Sequence, residues 1–342
     1  MLKQLTTAVF AAVLASTAAQ AQTRYDVTQV VATVTFAFLP VYVAEHMGYF
    51  SAEGVDLKTM RASSAQAGLA AVMSGGAHYY LSTPIAGARS AAAGAPLINC
   101  GALMNQNPSN IVLDAAVAKR LGLTGDLSKM SVEDRVRKLR DLRFAAHTAG
   151  SSPDITLRYL VRRAGMNPEK DVQILPITGD SILPAFDQKR IDGFVYSSPL
   201  AENGVIRHGG VNILSLADGS YPPLAGQLSI SLVCNRDWVE KQTDAAAATL
   251  RAIWRAMLLM KSDPAKAREA ARKSFPALDV RIFDAAFDTN LRAFPDSPRL
   301  TEKQMSEALD FHVATGGTAI NVKLPQTFTN LAVDRAEQTM KR

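Results

Sequence analysis

From Val27 onward the chain alternates β-branched extended runs with short helical ones, and this rhythm restricts the fold more than any other feature. "VTQVVATVTF" reads as a strand. "LPVYVAEHMGYFSAEG" reads as a helix, with Pro40 at its start and a break at Gly48. "VDLKTM" is a short strand, and "SAQAGLAAVMSGG" a helix capped by Ser63 or Ser64 and stopped by Gly75-Gly76. "AHYYLST" and "PIAGARSAAAG" repeat the pair, and "PLINCGALM" and "SNIVLDA" add two strands. A more polar connector runs from Ala118 to Leu142 and carries Ser131 and Asp134 in capping-box spacing. The alternation then restarts through "LRFAAHT", "PDITLRYLVRRAG", "VQILPI", "SILPAFDQKR", "IDGFVYS", "PLAENGVIRHG" and "VNILSLA". Strand and helix in this order predict an α/β fold with mainly parallel sheets flanked by helices. "QLSISLVCNRDWVE" is a strand able to carry the chain back to the first sheet, and the remainder is helical.

The first residues stand apart. Lys3 precedes an alanine-rich apolar run from Ala8 to Ala19, and Ala19-Gln20-Ala21 has the A-x-A form of a cleavage site. Residues 1–21 are therefore expected to be a signal peptide that is removed, leaving a periplasmic chain. Loss of Lys3 takes the net charge from +6 to +5, with no lysine or arginine block, so nucleic acid is not an expected partner. About 320 remaining residues exceed one ordinary core, and two lobes are the default. Cys100 and Cys234 are the two cysteines. Export permits a disulfide between them; buried free thiols are the simpler reading, and sequence fixes no geometry for either.

Several phrases occur in a telling order: "FLPVYVAEHMGYFSAEGVDL", then "GMNPEKDVQIL", then "AFDQKRIDGFVYSSP". Together they resemble the solute-binding proteins of ABC importers for nitrate, sulfonates, taurine and thiamine pyrimidine precursors. The resemblance implies a type II periplasmic binding fold with two chain crossings as hinge. It places lobe I at residues 26–115 plus 232–342 and lobe II at residues 116–231. It further implies a small-molecule ligand and a membrane permease as partner, while the mild charge and the lack of a coiled-coil pattern suggest a monomer, no cofactor is expected, and no Cys/His spacing suggests a metal.

In open α/β sheets, ligands bind beyond the carboxyl ends of the strands. The junctions there supply Phe38 and Leu39, Ser82 and Thr83, Asn105 and Gln106, Gly150, Ser151, Ser152 and Asp154, and Tyr196 and Ser198. Helix N-termini at Thr83 and at "TAGSS" suit an anion, because free N–H groups and about half a positive charge gather there. An ordinary N-cap is the alternative for each serine. Phe38 and Tyr196 suggest an apolar or ring portion: a sulfonate, an aromatic carboxylate or a pyrimidine. Asp154 either supports its own helix or pairs with a cationic group of the ligand. None of the five histidines has metal or triad spacing. No G-x-S-x-G elbow or phosphate loop is present, and the cysteine-rich motif of eukaryotic pyrimidine-forming relatives is missing. The chain is thus expected to bind and not to catalyse. A periplasmic sensor without transport is the second reading, and an enzyme on the same fold the third.

Overall fold

A computed structural model describes residues 24–340 apart from Thr33. The signal-peptide reading at residues 1–21 lies outside the described residues.

Among the described residues, ten strands form two five-stranded sheets. The first contains β1 (Tyr25–Val31), β2 (Val55–Arg61), β3 (Tyr79–Ser82) and β4 (Leu97–Met104), with β10 (Ile230–Asn235) returning to it. The second contains β5 (Ser109–Asp114), β6 (Arg143–Ala145), β7 (Gln173–Leu175), β8 (Gly193–Ser197) and β9 (Gly210–Ser215). Their orders are β2-β1-β3-β10-β4 and β7-β6-β8-β5-β9. Both follow one pattern. β1 pairs in parallel with β2 and β3, and β6 with β7 and β8. The single antiparallel strand of each sheet is the one that arrives from the other: β10 between β3 and β4, β5 between β8 and β9. The fold is the mixed, mainly parallel α/β arrangement that the alternation predicts. One grouping differs. β5 belongs to the second sheet, whereas the reading above assigned residues up to Ala115 to the first lobe. A continuous apolar run reads the same in either sheet, and only its antiparallel pairing decides.

Burial explains why these runs are strands. Every residue of β4 and β5 is buried, as expected for strands covered on both faces. The first core also takes Phe36, whose ring lies 4.5 Å from Phe275 and 5.5 Å from Phe283. The long helix Thr243–Ser262 adds Leu250, Ile253, Met257 and Met260 to that core. Side chains of this size each contribute roughly 1.5–3 kcal/mol on burial. The capping box at Thr301 and Gln304 starts the helix Glu302–Ala314. Ser64, not Ser63, caps Ala65–Met73, accepting from the Ala67 N–H.

Cys100 on β4 and Cys234 on β10 form a disulfide, with Cα atoms 5.9 Å apart. This replaces the free-thiol reading. The two cysteines are 134 positions apart in sequence, and the return of β10 beside β4 makes them neighbours.

The chain crosses between sheets at residues 105–108 and 216–229. Gln106 ties the crossings together. Its carbonyl accepts from Ser229 Oγ at 2.7 Å, and its Oε1 accepts from the Gly226 N–H at 3.3 Å.

Candidate functional site

On the second sheet, three strand ends converge. β6 gives way to His147, which takes a left-handed backbone (φ 57°), and to Gly150 (φ 77°). These two residues turn the chain sharply into the helix Ser152–Arg163. Ser151 sits at its N-cap without capping it. Its hydroxyl donates instead to the Ala146 carbonyl at 3.2 Å. Ser152 is exposed, and Pro153 lacks an N–H. The first turn of this helix therefore keeps donors its own cap does not use.

β7 leads to Thr178, again an N-cap residue whose side chain makes no cap bond, and then to the helix Gly179–Asp187. Gly179 lets Tyr196 come close, because a Cβ there would stand 3.0 Å from the Tyr196 hydroxyl. Tyr196, near the end of β8, thus rests on that helix start. It also faces His147, with ring centroids 5.9 Å apart. Tyr196 is half-buried, and burial pushes its phenol upward, so it is a neutral donor at physiological pH. The Thr178-Gly179 junction was not among the sequence candidates. "PITGD" nevertheless carries the same signal as "TAGSS": a small hydroxyl and a glycine between strand and helix.

On the first sheet, β3 ends at Ser82. Thr83 is exposed and leaves the helix Pro84–Ala92 without a side-chain cap. That helix is anchored from beneath by Asn99 on β4. The buried Asn99 amide donates to the carbonyls of Pro84 (3.1 Å) and Thr327 (2.8 Å) and accepts from Ser231 Oγ (2.7 Å). Asn105, just past β4, donates its backbone N–H to the Ala293 carbonyl, and its buried Oδ1 has no partner among the described residues.

Five sequence candidates are occupied elsewhere. Phe38 (5% exposed) and Leu39 (fully buried) belong to the first core, because the short 3-10 turn Phe36–Phe38 points its rings inward. Gln106 braces the crossings. Asp154 is 3% exposed and turned onto its own loop, where it accepts from the Gly150 N–H and from Arg158 Nε, both at 2.8 Å. Ser198 is buried between the sheets, bonded to Glu202 and Asn290. Ser82, Thr83, Asn105, Gly150, Ser151, Ser152 and Tyr196 remain at strand ends. Among the described residues, no hydrogen bond links Thr83 to the Ser151-Ser152 turn. No group of three or more His, Cys, Asp or Glu side chains is placed to hold a metal, and no helix is long and apolar enough to cross a membrane, again among the described residues.

The arrangement has known counterparts. No curated protein sequence matches the chain. Solved structures do match in fold. The aliphatic sulphonate binding protein SsuA from Escherichia coli superposes with a TM-score of 0.65 at 17% identity, covering 89% of this chain and 92% of that one. A zinc-bound ligand-binding component of an ABC-type import system from Staphylococcus aureus gives 0.67 at 11% identity, covering 92% and 99%. The desulfurization enzyme DszB gives 0.62 at 12% identity, covering 92% and 99%. These likenesses establish a shared fold, that of the periplasmic binding proteins. Residues 26–273, most of the chain, match the model of the NMT1-like family, and the chain belongs to that family.

Proposed function

We propose that the chain is the periplasmic solute-binding component of an ABC importer. In this reading it captures a small organic anion between two hinged lobes and delivers it to a membrane permease as a monomer. The two sheets form the lobes, and the crossings at residues 105–108 and 216–229 form the hinge. The observation that carries the reading is threefold: the helices after Thr83, Ser151 and Thr178 begin at strand carboxyl ends, on both sheets, without side-chain caps. Uncapped helix starts offer N–H donors and partial positive charge to an anionic head group without any basic side chain. The His147–Tyr196 wall suits an attached apolar or ring portion. Sulfonates, taurine-like compounds and aromatic carboxylates fit this description. An amine or pyrimidine held by Asp154 loses support, since that carboxylate is already paired with Arg158.

A thermal-shift screen of these classes at neutral pH tests the reading. A solute bound to the closed form at a hundredfold excess over its Kd stabilises by about 2.7 kcal/mol. A shift with one anionic class, with the solute recovered unchanged, is expected. No shift with any anion refutes the reading. Consumption of the solute would instead favour catalysis, the activity that DszB carries on this fold.

A further inference from the structure

The seam between the two sheets buries a carboxyl that, among the described residues, no basic side chain pairs with. The helix Leu200–His208 follows β8 in the second sheet, while the helix Val280–Asn290 joins the first core through Phe283 and Phe287. Where they meet, Asn290 Nδ2 donates to Ser198 Oγ at 2.7 Å, and Ser198 Oγ donates to Glu202 Oε1 at 2.8 Å. Asn290 Nδ2 also donates to the Ala286 carbonyl at 2.8 Å. Asn290, Ser198 and Glu202 are 1%, 4% and 7% exposed. Among the described residues, the buried Oε2 of Glu202 has no hydrogen-bond partner, and neither does the neighbouring Asn203 Oδ1.

The basic groups on and beside the surrounding elements are committed to other acids. On Val280–Asn290, Asp284 and Asp288 pair with Arg268, and Arg281 lies by Asp279. On the Gly179–Asp187 helix, Asp187 takes His208, and Asp180 bears on Tyr196. On β5, Asp114 takes Lys189. Arg207, on the same helix as Glu202, crosses the seam to Asp279 at 2.8 Å. A carboxylate without a counter-ion is strongly disfavoured in such a place, whereas the neutral acid keeps Oε1 as acceptor for Ser198 and carries its proton on Oε2.

We propose that Glu202 is a positioning residue that latches the closed lobes as a neutral acid and gives up its proton to solvent when they part. This rests on the reading of the chain as a hinged two-lobe binding protein. Burial pushes the Glu202 carboxyl above its ordinary value of 4.5, opposed by the hydrogen bond from Ser198, with no contribution from a charge. The closed form therefore holds the proton more tightly than the open form. Closure is fully favoured below the ordinary carboxylate range and weakens as pH rises toward the raised value of the closed form. One proton changes the open-to-closed ratio by at most about tenfold per pH unit.

Small-angle scattering of the solute-free protein from pH 4 to 8 tests this, comparing the wild type with Glu202→Gln and Glu202→Ala, with circular dichroism as the check on folding. The wild type is expected to expand as pH rises. Glu202→Gln, which keeps the acceptor and cannot ionise, should stay compact across the range. Glu202→Ala should be expanded throughout. A wild-type radius independent of pH, or a Glu202→Gln curve that follows the wild type, overturns the latch. If Glu202→Ala fails to fold, the comparison of wild type with Glu202→Gln still decides. No solute enters the experiment, so the two readings fail separately. Solute binding with a flat radius removes the latch alone, and a pH-dependent radius without solute binding removes the transport reading alone.

Discussion

Asp154 separates two accounts of the "TAGSS" turn. If it faced the ligand, its removal would abolish binding and leave stability almost unchanged. The structure makes the opposite demand. Its carboxylate is 3% exposed and accepts two hydrogen bonds, from the Gly150 N–H and from Arg158 Nε, both at 2.8 Å. Hydrogen bonds to charged groups contribute about 1.5–3 kcal/mol each. A carboxylate in the first helical turn adds about 0.3–1 kcal/mol with the helix dipole. Arg158 keeps a second partner in Glu169 at 2.7 Å, and Gly150 can reach water once the loop loosens, so the full sum is not lost. Asp154→Ala should therefore destabilise by about 2–4 kcal/mol. Asp154→Asn, which retains one acceptor oxygen but not the charge, should lose about half of that. Urea denaturation followed by circular dichroism measures both. A change below about 0.5 kcal/mol in Asp154→Ala, combined with lost solute binding, would refute the bracing role and restore Asp154 to the ligand.

Three further outcomes follow from the same geometry. Asn99→Ala strips partners from the Pro84 and Thr327 carbonyls and the Ser231 hydroxyl, and should cost about 3–5 kcal/mol in chemical denaturation, with Thr83 displaced as its helix loses its anchor. Gly179→Ala places a methyl 3.0 Å from the Tyr196 hydroxyl, so it should weaken solute binding by calorimetry while changing stability by less than about 1.5 kcal/mol. Arg207 holds Asp279 down to about 2, against an ordinary 3.8. A lowered carboxyl stabilises above its ordinary value and loses that contribution as pH falls toward 2. The wild type should accordingly lose melting temperature between about pH 4 and 2 more steeply than Arg207→Ala, and equal slopes would remove the pair from the account.

Most elements were legible because their signals are local. Period, proline and glycine place the Pro84–Ala92 and Ser152–Arg163 helices, and Thr301 with Gln304 announces its capping box. What stayed hidden depends on partners distant in sequence. The disulfide needs β10 to return beside β4. The sheet membership of β5 needs β8 and β9. At the site, side-chain type was a fair guide to position and a poor one to orientation. Ser151 and Asp154 lie where the sequence puts them, yet the serine bonds Ala146 and the aspartate bonds its own loop. Phe38 ends a strand-to-helix turn, but a 3-10 turn rotates it into the core. Glu202 gave no signal, since an acidic residue in the first turn of a helix ordinarily reads as a surface charge.

The most direct measurement is a crystal structure of the protein with the most stabilising anion from the thermal-shift screen. The account predicts the anionic oxygens within hydrogen-bond distance of the N–H groups that open the helices after Thr83 and Ser151, with the organic portion against Tyr196. An anion held by arginine or lysine side chains away from those helix starts, or lying outside the space between the two sheets, would contradict it.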